Sequence, residues 1–207
     1  MSKDITIIDN DFLSYCMRSH QNIDGKELFL NICRELNMEP VVHTYVYEEE
    51  MFSLKESREL VSEGKMRVID YPDFLKNEFE RTMYERNFED LYHQMNGEQI
   101  VYKNCDAFSY RGGQENLGEI HSILLAMFCR YNVFLSNDGG AKEIAWSNMK
   151  SKVHVYNIID VFERIAQKEN RQYITKADFV ALTKGDKGRK KEINRIKELW
   201  EEKSSKD

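Results

Sequence analysis

The sequence predicts an α/β protein: a three-layer sandwich with a central, mainly parallel sheet flanked by helices. Three observations carry this. Short apolar runs that read as buried strands recur along the chain: ITIID, PVVHTYV, MRVIDY, NVFLS and KVHVYN. Segments of helical periodicity separate them, and such alternation implies right-handed crossovers and parallel pairing. The 207 residues are 41% hydrophobic and 12% aromatic, enough to bury a core on both faces of a sheet.

In order, a strand over 5–9 leads into a helix over about 11–20. DGKELFLNICREL (24–36) forms a second helix, with Leu28, Ile32, Cys33 and Leu36 on one stripe. The extended run PVVHTYV (40–46) enters another helix through YEEEMFSLKESRELVSEG, which Gly64 stops. MRVIDY (66–71) is a strand, and Pro72 opens a long amphipathic helix ending near Gly97. The stretch 97–117 has glycines and aromatics but no sustained period, so it reads as a long functional flap or an insertion. After it come a buried helix (GEIHSILLAMFCRY), the strand NVFLS, a helix (GGAKEIAWSNM), the strand KVHVYN and a helix (IIDVFERIAQKE).

Residues 1–183 are thus expected to form one domain, and 184–207 a charged, partly helical tail. The net charge of −6 weakly disfavours nucleic-acid binding, but its distribution matters more. KGDKGRKKEINRIK (184–197) gathers Lys184, Lys187, Arg189, Lys190, Lys191, Arg195 and Lys197 against only Asp186 and Glu192. That segment is either a solvated tail or a nucleic-acid-contacting arm. No 18-residue apolar run and no signal-like start is present, so no membrane association and a cytoplasmic location are expected. Cys16, Cys33, Cys105 and Cys129 lie far apart without a C-x-x-C pair, which argues against a zinc knuckle or disulfide framework.

Sites in parallel sheets lie at the carboxyl ends of strands. Asp9 ends the first strand, and Asp138 follows NVFLS, so both emerge on one edge if those strands are neighbours. Like charges brought together repel unless a cation or proton sits between them. Glu119 adds a third at the start of a helix whose Ser122 and Ala126 permit close approach to the sheet. Glu49 is a fourth, in the Glu48–Glu50 triplet just after a strand. Oxygen-only ligands suit Mg²⁺ or Mn²⁺. Each acid also has a simpler role. Asp11 and Asp138 could cap helices, Glu119 could complement a helix dipole, and the triplet could lie on a solvated face.

The order of these residues resembles the PIN-domain nuclease family, and in particular its subgroup with Gly-Glu opening the acidic helix. The matching pieces are IIDNDFL, VYEE, GEIHSILLA, FLSNDGGAKEIA and VHVYNIIDVFERI, covering residues 5–166. The resemblance implies a nuclease, mostly acting on RNA, that uses carboxylate-held divalent metal and an activated water. By position, Asp9 is then the central metal ligand, Glu119 and Asp138 complete the site, Glu49 assists, with its neighbours Glu48 and Glu50 left open for that part, and Asp11 and Ser136 support. The chain departs from the family in VYNII, where many members have Gly-Thr, and in the length of 97–117. A homodimer, and an antitoxin partner if the chain is a toxin, also follow from the resemblance. A Tyr- and Met-rich face over 83–95 is the surface such a partner would use.

Phosphates are expected to meet Arg18, Lys103, Arg111 and Lys142, and unpaired bases to stack on Tyr102, Phe108 and Tyr110. The five histidines show no ligand spacing, and structural or surface roles are expected of each. Two other readings stand beside the nuclease. One is a catalytically silent PIN-like scaffold that binds RNA or a protein. The other is a haloacid-dehalogenase-like phosphohydrolase with Asp9 as nucleophile and Asp11 as acid, in which Phe12 replaces the usual Gly and Glu119 has no task.

Overall fold

In the computed structural model, which describes residues 3–18, 23–97, 107–108, 116–149 and 153–204, strand β1 (Asp4–Ile8) is the middle of five. The others are β2 (Met38–His43), β3 (Arg67–Ile69), β4 (Val133–Leu135) and β5 (His154–Tyr156), in the order β3-β2-β1-β4-β5. All four pairings are parallel, with Ile7 opposite Val41 and Phe134, and Ile8 opposite Leu135. Successive strand residues face opposite sides of a sheet. Ile8, Val42 and Leu135 accordingly enter one buried cluster, and Ile7, Val41, Phe134 and Val155 the other.

Helices cover both clusters. On the first face lie α1 (Asn10–Met17), α2 (Gly25–Glu35), α3 (Lys55–Ser62), α8 (Ile158–Gln167), α9 (Lys176–Leu182) and α10 (Lys190–Ser204). On the second lie α4 (Tyr71–Phe74), α5 (Glu78–Asn96), α6 (Leu117–Cys129) and α7 (Gly139–Met149). Local signals fix several starts: Asp24 accepts from Lys26 N and Glu27 N, and Asn157 forms a capping box with Asp160. Such caps contribute about 1 kcal/mol each. Among the described residues no helix is long and apolar enough to cross a membrane.

Four expectations need correction. The helix read through 47–64 is broken: Val46–Glu50 is a π-helical turn, Met51–Ser53 a 3₁₀ turn, and α3 begins only after the non-helical Leu54. Pro72 does open a helix, but α4 ends within one turn. Asn77 then caps α5 by accepting from Glu80 N at 2.9 Å. Helix α9 falls where the apolar pattern predicts no element, although its Thr175–Asp178 capping box is a legible start. Finally, 190–204 is helical but no solvated tail, because Ile193, Ile196 and Trp200 are buried. Trp200 stacks on Phe179 at 5.6 Å and lies 6.2 Å from Phe162, so α10 is a wall of the core.

A carboxylate cluster at the switch point of the sheet

From β1 the chain turns to β2 on one side, whereas β4 lies on the other. The connections therefore diverge above the carboxyl ends of β1 and β4, where open α/β sheets form their crevices. The ladder continues into that crevice: Asp9 N donates to Leu135 O at 2.9 Å, and Ser136 N to Tyr156 O at 3.2 Å.

Asp9 caps α1, its Oδ1 accepting from Asn10 N at 2.9 Å, and is only 1% exposed. Ser136 Oγ donates to Asp9 Oδ2 at 3.1 Å and accepts from Asp138 N at 3.1 Å, fixing two acids relative to each other. Asp11 does not cap the helix. Its carboxylate instead takes Asn137 N–H at 3.1 and 2.9 Å, which holds the β4–α7 turn against α1. Asp138 does cap α7, accepting from Gly140 N at 2.6 Å.

Of the Glu48–Glu50 triplet, which the sequence leaves open around Glu49, it is Glu50 that acts on Asp9 and is acted on by Glu119. A π turn holds one more residue than an α turn, and Val46–Glu50 is such a turn. It brings Glu50 against the start of α6, where a Cβ on Gly118 would stand 2.2 Å from Glu50 Oε1 and 2.5 Å from Oε2. Only glycine leaves that space. Asn116, before α6, has φ 68° and no capping side chain, so the Gly118 N–H is left to Glu50.

Electrostatics tie the acids together. Burial raises the Asp9 carboxyl well above its ordinary range, and Glu119, Asp11 and Glu50 raise it further. Glu119 is raised by burial and then by Asp138 and Asp11. Asp11 is raised by burial against the pull of Asn137 N–H. Glu50 is pushed up to about 7 by burial and by Glu119. None of these five acids has an ion-pair partner among the described residues. Nor do any three His, Cys, Asp or Glu among the described residues already form a group that could hold a metal ion. Carboxylates without a compensating cation repel one another, which works against close convergence. Two buried amide atoms flanking these acids in sequence, Asn10 Oδ1 and Asn137 Nδ2, also lack partners.

Of the acids singled out from sequence, Asp9, Asp11, Glu119 and Asp138 do gather here, with Ser136 between them. The expected phosphate contacts are scattered. Arg18 stands exposed at the end of α1, 5.2 Å from the Tyr15 ring, and Lys142 pairs with Asp160 at 3.1 Å. Lys103, Arg111, Tyr102 and Tyr110 lie outside the described residues. Phe108 packs on Tyr84 at 5.5 Å beneath the Arg81 guanidinium, so it is no free platform for a base. The face expected for a partner is turned inward, since Tyr84, Phe88, Leu91 and Tyr92 are buried.

Behind the cluster, His43 Nδ1 accepts from Tyr45 N at 3.0 Å, and the Tyr84 hydroxyl lies 2.6 Å from His121 Nδ1. Burial lowers both imidazoles, His43 to about 3, so they are neutral packing groups, as expected of the histidines. No protein-family model matches the chain, and neither a curated protein nor a solved structure does.

Proposed function

We propose that the chain is a divalent-metal-dependent nuclease, an endoribonuclease by its resemblance to the PIN-domain family. One observation carries the reading. Carboxylates from four separate segments (the end of β1, the π turn, the start of α6 and the end of β4) act on one another's ionisation, and none has an ion-pair partner among the described residues. Evolution of a stable fold alone would not collect them, because each raises the cost of ionising the next.

The all-oxygen donor set fits a hard cation such as Mg²⁺ or Mn²⁺, and the glycine-only space for Glu50 fits a carboxylate that must reach the same crevice. Asp9, Glu50, Glu119 and Asp138 would hold the ion. Bound there, it neutralises phosphate charge and makes a water nucleophilic. Ser136 aligns Asp9 with Asp138, and Asp11 fixes the Asn137 turn that carries Asp138. No protein nucleophile is required. In the aspartyl-nucleophile alternative Glu119 would be idle, whereas here its charge acts on Asp9.

The test is cleavage of single-stranded and structured RNA with Mg²⁺ or Mn²⁺, comparing wild type with Asp9→Asn and Glu119→Gln. Each variant should lose more than the about 10- to 100-fold typical of residues that merely support a ligand, while keeping its circular dichroism spectrum. Full activity in both removes the proposal.

A further inference from the structure

Arg18, at the end of α1, and Lys184, Lys187, Lys190 and Lys191, at the turn into α10, are exposed and have no acidic partner among the described residues. Tyr15 joins the two groups. Its ring lies 5.2 Å from the Arg18 guanidinium carbon and 5.4 Å from that of Arg189. Its hydroxyl donates to Asp186 Oδ2 at 3.4 Å, and Asp186 also binds Arg189 at 2.6 Å. A chain of net charge −6 therefore carries exposed cations at the end of α1 and at the turn into α10, joined through Tyr15 and Arg189.

Two features distinguish this surface from an ordinary solvated face. Lys190 and Lys191 occupy the first turn of α10, the positive end of the helix dipole, where a cation is disfavoured by about 0.3–1 kcal/mol. An anion lying over them relieves that conflict. Placement is the second feature. Asp11, Tyr15 and Arg18 fall at i, i+4 and i+7, on one face of α1, and Asp11 stands in the carboxylate cluster. Arg18 is thus about 10 Å along the helix from Asp11, close enough for one strand to reach both.

We infer that this surface is the track for the phosphate backbone of a single-stranded RNA running away from the carboxylate cluster. The inference rests on the nuclease reading and extends it. Arg18, Lys187, Lys190 and Lys191 meet the phosphates, and the Tyr15–Asp186–Arg189 arrangement sets the turn that presents them.

The experiment is a fluorescence-anisotropy titration of a labelled single-stranded RNA with the full chain in EDTA, repeated over a range of KCl concentrations. Lys187→Gln/Lys190→Gln should weaken binding at low salt and make the slope of log affinity against log salt shallower by about 1.4, or about 0.7 for each phosphate no longer neutralised. The control, Lys65→Gln/Lys76→Gln, removes the same charge at exposed positions flanking β3 and α4. Equal loss in both double variants, no loss in the first, or no RNA binding by wild type overturns the track. Thermal melts of both variants, expected to match wild type because these side chains are exposed, exclude unfolding as the cause. Since EDTA stops metal-dependent chemistry, the two readings fail separately. A chain that binds RNA through these lysines yet cleaves nothing with Mn²⁺ loses the nuclease reading and keeps the track. A chain that cleaves but whose lysine variant binds like wild type loses only the track.

Discussion

Holding the Asp9 carboxylate among Glu119, Asp11 and Glu50 costs stability at neutral pH, since ionising each group works against burial and against the others. Glu50 shows the sign. Its proton is held up to about pH 7 in the fold but only to 4.5 in its ordinary state, so between those values the folded protein binds more protons than the unfolded chain. Stability from this group therefore falls as pH rises through the window, and the whole penalty stands above about 7. His43 and His121 act oppositely, because they stay neutral in the fold while the unfolded chain takes protons below 6.5. Their effect fades over about one pH unit above that value, and beyond it the acids dominate the trend. In chelator, the melting temperature should drop from pH 6.5 to 8, and Mn²⁺ should reverse the drop by binding the ionised acids. Asp9→Asn should raise the metal-free melting point at pH 8. Relief of about 2 kcal/mol corresponds to roughly 4–8 °C for a chain of this size, and the gain should shrink at pH 5. A lower melting point in this variant at pH 8 would instead make Asp9 a structural acceptor for Asn10 and Ser136.

The π turn and the start of α6 act as a pair: one delivers Glu50, and the other, by lacking a Cβ at Gly118, receives it. Alanine at 118 meets only the far end of a flexible side chain, so Glu50 should swing out while the helix stays. The change even favours the helix by about 0.5–1 kcal/mol. Gly118→Ala should therefore weaken Mn²⁺ binding in calorimetry and lower cleavage at least about 10-fold, with no loss of melting temperature. Glu50→Gln should cost more activity than Glu49→Gln; the reverse order would return the site to the residue the sequence suggests. The choice within the Glu48–Glu50 triplet shows where legibility ends. The strands are readable because Ile7 and Ile8, or Val41 and Val42, are buried on both faces and leave unbroken apolar runs. Asp9, Glu119 and Asp138 are readable because strand and helix ends fix where they emerge. Residues 46–50 carry no pattern that separates a π turn from an α turn, and Glu48, Glu49 and Glu50 are chemically alike. Tertiary placement against Gly118 decides among them. Likewise, nothing in the charge pattern tells that Lys142 is taken by Asp160 while Arg18, resting on the face of Tyr15, keeps its charge without an acidic partner among the described residues.

At the scale of the molecule, α10 decides whether the first face of the sheet is closed. Charge counting marks 184–207 as an appendage, because basic and acidic residues outnumber the apolar ones. The fold is governed by Ile193, Ile196 and Trp200, whose i, i+3, i+7 spacing makes a narrow stripe on α10, and all three are at most 5% exposed. They cover Phe162 and Phe179, which are themselves fully buried. At about 1.5–3 kcal/mol for each large apolar side chain, this stripe contributes roughly 5–9 kcal/mol. The whole stability of a domain is only about 5–15 kcal/mol. Removing residues 184–207 should thus leave a chain with exposed aromatics and no cooperative urea transition. Trp200→Ala should shift the full chain's transition by about 3–5 kcal/mol. Because Trp200 packs on Phe162 of α8 and Phe179 of α9, the same change should leave Mn²⁺-dependent cleavage per folded molecule unchanged. A truncated chain that unfolds cooperatively at the wild-type urea concentration would show that α10 is an appendage after all. The cationic track would then be carried by a segment free to move independently of the acids it serves.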